Sequence, residues 1–117
     1  MPNENEHRKK YLENKSILEN ELSISNCERY NWISTIAFYA VLHLVEERLA
    51  RYGMDSTSHA ARGNMVNRQS DFRNIRVKYK ALHTRSIVAR YSGKNITKEK
   101  AQESLQYMED IERELEK

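Results

Sequence analysis

Apolar residues recur along most of this chain at steps of three and four, the spacing that puts side chains on one face of an α-helix. Tyr11, Leu18 and Leu22 form such a stripe and predict a first helix over about 6–22, ended by the polar Ser23–Asn26 stretch. The next run differs in kind. From about Arg29 to Tyr52, the residues Ile33, Ile36, Ala37, Ala40, Val41, Leu42, Leu44, Val45 and Leu49 cover most of the circumference, which marks the central helix of a bundle. Phe72, Ile75, Tyr79, Leu82, Ser86 and Ala89 predict a helix over about 71–91, and Ala101, Leu105, Met108, Ile111 and Leu115 predict another after Thr97. No period-two run of β-branched residues competes with these helices.

Punctuation is sparse. Pro2 is the only proline, and the glycines are Gly53, Gly63 and Gly93. Gly53 and Gly93 each follow a helical run, where a left-handed residue closes the helix without steric penalty. Ser58 and Thr97 are N-cap types, and Ser58 opens a short helix over about 59–67. The most irregular segment is Met54–Ser58. The expectation is an all-α fold in one domain, residues 1–117: an antiparallel four-helix, up-and-down-like bundle with one additional short helix.

Composition narrows the class. With 38% hydrophobic and 32% charged residues in 117, the chain has the balance of a folded soluble domain. The longest uncharged stretch, Asn31–Val45, is 15 residues, short of the roughly 17–25 that cross a hydrocarbon core. Residues 1–10 are polar and of mixed charge, unlike a secretory signal, so the expected location is the cytoplasm. Cys27 has no cysteine partner, which excludes a disulfide framework and a cysteine-rich zinc site.

The net charge of +3 conceals a strong asymmetry. Residues 62–100 hold 11 basic and 2 acidic side chains, while residues 101–117 hold 2 basic and 6 acidic ones. A clustered positive field attracts phosphates whatever the fold, which points to RNA or a nucleotide. The alternative is that the basic segment pairs with the acidic C-terminal helix.

Several residues could carry chemistry. Tyr39 and His43 lie four apart on one strip of the central helix, which suits a ligand pocket or a buried hydrogen-bonded network. His59 and Arg62 open the short helix on one face, where free N–H groups favour an anion; helix-start packing is the other reading. Arg76, His83 and Arg90 recur every seven residues along one strip. A histidine between arginines is disfavoured in its charged form and is available as a base, with RNA 2′-hydroxyls as a fitting proton source; a solvated basic face is the alternative. No ligand spacing calls for a metal, and no phosphate-binding glycine loop or nucleophile elbow calls for a cofactor.

The stretch Trp32-Ile-Ser-Thr-Ile-Ala-Phe-Tyr39-Ala-Val-Leu-His43-Leu-Val-Glu46, followed by Gly53 and then Ser58-His59-Ala-Ala-Arg62, resembles the HEPN domain family. Tyr79-Lys-Ala-Leu82-His-Thr-Arg-Ser86-Ile-Val-Ala89-Arg90-Tyr91 resembles that family's later Y-x2-L-x3-S-x2-ARY segment. The resemblance implies a helical bundle, commonly a homodimer, in a family of RNA-cleaving toxins, partners of small nucleotidyltransferases, and non-catalytic nucleotide- or RNA-binding members. Its ribonucleases resemble one another in an R-x4–6-H motif, often written R-N-x3-H-x-Y, on a late helix. Here Arg73-Asn74-Ile75-Arg76-Val77-Lys78-Tyr79 departs from that pattern, with Lys78 in the histidine's place, and Arg76 with His83 is the permissive match.

The function expected is therefore a homodimeric, non-catalytic HEPN-like module that binds RNA or a nucleotide through the basic face of residues 62–100, with Tyr39, His43, His59, Arg62 and Arg90 as its ligand-binding residues. One alternative is a metal-independent endoribonuclease, with His83 as base and Arg76 holding phosphate. The other is a protein-interaction role, with a nucleotidyltransferase or antitoxin-like partner.

Overall fold

The long apolar run folds as expected into the axis of the molecule. In the computed structural model, which describes residues 3–20, 29–56, 58–92 and 94–116, the helices are α1 (Glu4–Asn20), α2 (Tyr30–Arg51), α3 (His59–Arg68), α4 (Arg76–Tyr91) and α5 (Lys98–Leu115). A single 3₁₀ turn, Ser70–Phe72, precedes α4, and there is no strand among the described residues. Helix α2 packs against α1, α4 and α5, while the short α3 reaches α4. Ile33, Ala37, Phe38, Ala40, Val41, Val45 and Leu49 are wholly buried, so the helix is apolar nearly all round because helices surround it.

The partner helices contribute the stripes read from the sequence. Tyr11 and Leu18 face inward from α1, Tyr79, Leu82 and Ser86 from α4, and Ala101, Met108, Ile111 and Leu115 from α5. The remaining predicted position on α1, Leu22, lies outside the described residues, as do Ser23–Asn26, Cys27 and Gly93. The radius of gyration is 13.6 Å, against about 13.4 Å expected for a compact globule of this length.

Helix ends follow side-chain chemistry. Gly53, at φ 68°, closes α2 in a Schellman motif: its N–H donates to the Ala50 carbonyl and that of Met54 to the Leu49 carbonyl at 2.9 Å. The Ser58 and Thr97 hydroxyls accept from the N–H groups of Ala61 and Lys100, capping α3 and α5. One boundary differs from expectation. Residues 71–75 are not the first turn of α4. Phe72 and Ile75 are buried from a tight turn in which Arg73 N–H donates to Ser70 and Ile75 N–H to Phe72. A spacing of three serves a 3₁₀ turn as well as an α-helix, so the apolar pattern alone does not separate them.

Asn31, near the start of α2, fastens the link between α4 and α5. Its amide donates to Ala89 O at 3.1 Å and Lys94 O at 3.4 Å, and its oxygen accepts from Ile96 N–H at 2.7 Å. These bonds and the tight turn before Arg76 hold α4 at both ends, with α3 beside it.

Candidate functional site

Helix α3 is anchored through a buried ion pair. Arg62, one turn into the helix, donates Nε to Glu46 Oε1 of α2 at 2.5 Å, and the two residues are 9% and 4% exposed. The Ser56 hydroxyl also donates to this carboxylate. A buried charge has to be paired, so α3 is locked in rotation about its axis. Arg62 Nη1 lies 2.8 Å from His59 Nδ1. A guanidinium can only donate, so the neutral His59 ring accepts at Nδ1 and carries its proton on Nε2.

Opposite α3, the His83 ring of α4 stacks on the wholly buried Phe38 ring, with centroids 5.0 Å apart and planes 14° apart. Phe38 lies 5.9 Å from His59, and the two imidazoles are 5.1 Å apart. Both are held below the usual histidine range. Burial is the main cause for each. The positive charges of Arg62 and Arg90 add to it at both rings, and the neighbouring His59 adds to it at His83. At neutral pH both rings are uncharged.

A cleft of about 280 Å³ opens beside them between α3 and α4, and its lining includes His59, Arg76, Tyr79, Lys80 and His83. Lys80 makes no ion pair among the described residues. Arg76 is partly committed elsewhere: Nε donates to Val66 O at 2.8 Å and Nη2 to Gln69 O at 2.9 Å, capping the last carbonyls of α3. Its Nη1 has no partner among the described residues. Tyr79 is 3% exposed, and burial pushes its pKa up to about 12, with the neighbouring Arg62 acting in the opposite direction.

The structure thus brings His59, Arg76 and His83 onto one cleft, while Arg62 does not line it and is committed to Glu46 and His59. Arg90 is adjacent and takes a supporting position: Nη1 donates to the Tyr39 hydroxyl at 2.6 Å, Nε donates to Ser86 O at 3.1 Å, and the guanidinium lies over the Tyr39 and Tyr91 rings. His43 does not join this group. Its side of α2 is covered by α1, where the His7 and His43 Nδ1 atoms are 3.0 Å apart. One ring must donate and the other accept. Burial first, then the neighbouring His7, lowers the His43 pKa to about 4. Tyr39 and His43 therefore serve different neighbours despite their four-residue spacing.

The basic segment divides between the two roles left open by the sequence. Lys78 and Arg85 pair with Asp110 and Glu103 of the acidic α5, at 2.8 and 2.6 Å. Arg68, Arg73, Lys80, Lys94 and Lys98 make no such pair among the described residues. Sequence reasoning missed Lys80 as a cleft residue, although it lies three before His83 and so shares its face. It also missed Glu46 as the anchor of Arg62, and His7.

Among the described residues no three histidine, cysteine, aspartate or glutamate side chains converge as metal ligands, and no helix is long and apolar enough to cross a membrane. A larger apolar groove of about 610 Å³, floored by Val77, Ala81, Val88 and Ile96, lies further round α4 and shares only Lys80 with the cleft. Compared with known proteins, the chain matches no family model and no curated relative.

Proposed function

We propose that this chain is a HEPN-like module that binds RNA or a nucleotide in the α3–α4 cleft, without strong catalysis of its own. In this reading α1, α2, α4 and α5 are the four bundle helices in up-and-down order, and α3 is the additional short one. The observation that carries the reading is the convergence of His59, His83, Lys80 and Arg76 on one cleft. Two uncharged imidazoles offer hydrogen bonds to phosphate oxygens or sugar hydroxyls, and the cations supply the attraction. The commitment of Arg76 to the end of α3, and Lys78 in the place of the ribonuclease histidine, support binding over cleavage.

The test is fluorescence anisotropy with a labelled single-stranded RNA of mixed sequence. If two or three phosphates are neutralised, raising salt from 50 to 200 mM weakens binding by roughly 7- to 20-fold, and Lys80→Glu weakens it at low salt. Binding that is absent at low salt, or that ignores salt, contradicts the reading.

The approach of His59 and His83 to 5.1 Å beside Arg76 favours one second reading, a metal-independent ribonuclease with the uncharged His83 as base, Arg76 holding phosphate and His59 hydrogen-bonding the substrate. Incubation of pure protein with mixed RNA in EDTA, beside His83→Ala and His59→Ala variants, separates the two. Cleavage lost in both variants supports the enzyme, and cleavage undiminished in either removes that histidine from the mechanism.

A further inference from the structure

One wall of the cleft has a chemistry that phosphate binding does not use. Ala60, Gly63, Asn64 and Asn67 line it from one face of α3, following the i, i+3, i+4, i+7 rule. Gly63 sits within the helix, where glycine is a poor helix former, and a Cβ built there would meet nothing within 4 Å. No packing contact requires a glycine at that position, so the room it leaves belongs to the cleft. The amides of Asn64 and Asn67 make no hydrogen bond among the described residues, and both are exposed at the cleft. Across from them stands the exposed Lys80.

We propose that the cleft seats a single adenine-bearing nucleotide unit, with the base over Gly63, its edges read by Asn64 and Asn67, and its phosphate towards Lys80. The proposal rests on the RNA- or nucleotide-binding reading above and deepens it. A carboxamide presents an acceptor and a donor side by side. Adenine answers that pair on two edges: the amino group with N1 on one, and the amino group with N7 on the other. Guanine shows two acceptors on its second edge, and the pyrimidines have no ring nitrogen there. Two amides that each take one edge therefore select adenine. The volume of about 280 Å³ falls just below the roughly 300–1,000 Å³ range of ligand pockets, which suits one nucleotide unit rather than two.

The experiment is anisotropy at 50 mM salt with labelled A6, C6 and U6 oligoribonucleotides. The proteins compared are the wild type, a variant combining Asn64→Ala with Asn67→Ala, and Gly63→Leu, with thermal melting recorded for each. The expected result is a preference of the wild type for A6 on the order of tenfold. In the asparagine variant that preference disappears while U6 binding is kept. Gly63→Leu melts cooperatively, at or above the wild-type temperature, and loses affinity for all three. Equal wild-type binding of the three oligomers overturns the adenine assignment and leaves the binding reading standing. A preference that survives the asparagine variant, or unchanged A6 binding by Gly63→Leu, removes the base from this wall. Failure of the wild type to bind any oligomer overturns both readings.

Discussion

Replacing Glu46 by glutamine is the sharpest test of how α3 is held. The substitution keeps the shape of the side chain and removes the charge facing Arg62, which is 9% exposed and donates to it at 2.5 Å. Arg62 cannot shed its proton, so the variant carries an uncompensated buried cation at a cost of about 3–5 kcal/mol. An unfolding entropy of about 2.1 cal/mol/K per residue comes to roughly 0.25 kcal/mol/K for 117 residues. The melting temperature should then fall by roughly 12–20 °C, read by circular dichroism or calorimetry. The double variant Glu46→Leu with Arg62→Leu leaves no lone charge and should melt well above Glu46→Gln. A drop of less than about 4 °C in Glu46→Gln, or a double variant worse than the single, would refute the reasoning, because either means that the pair is solvated.

Other outcomes follow from single features. Gly53→Ala should cost about 1 kcal/mol, roughly 4 °C in melting temperature, because φ 68° strains any L side chain while a Cβ there meets no atom within 4 Å. Ser58→Ala should cost about 1 kcal/mol through the lost cap on Ala61 N–H, and in denaturant titration it should lower the midpoint without changing the slope. For His43 the pKa is lowered on folding, to about 4, so protons bind the unfolded chain preferentially as pH drops below about 6.5. Its contribution is intact at neutral pH and is lost between about pH 6.5 and 4, by roughly 1–3 kcal/mol. Urea midpoints at pH 7 and pH 4.5 should converge in His43→Leu relative to the wild type; an unchanged gap would contradict the assignment.

What could be read from the sequence was what depends on neighbours along the chain. The buried character of α2, the left-handed Gly53 and the Ser58 and Thr97 caps all follow from local rules, and each is where those rules put it. The start of α4 was not legible, because Phe72 and Ile75 satisfy a tight turn and a helix equally. Pairings between helices were the least accessible. His43 meets His7 from 36 residues away, and the meeting depends on how α1 lies across α2. The approach of His59 to His83 likewise involves Phe38, which reads in the sequence as ordinary core and in fact stacks on the His83 ring with the His59 ring tilted beside it. The Arg76-to-His83 spacing did put both residues on one cleft, but it could not foretell that most of the Arg76 guanidinium would be spent on carbonyls of α3.

The central claim is that the α3–α4 cleft is where RNA or a nucleotide binds. Amide and imidazole chemical shifts, followed while a short single-stranded RNA is titrated into the isotope-labelled protein, test it most directly. The account predicts saturable shifts concentrated at His59, Gly63, Asn64, Lys80 and His83, with His7 and His43 unmoved. Shifts confined to Val77, Val88 and Ile96 of the neighbouring groove, or no saturable shift at low salt, would contradict it.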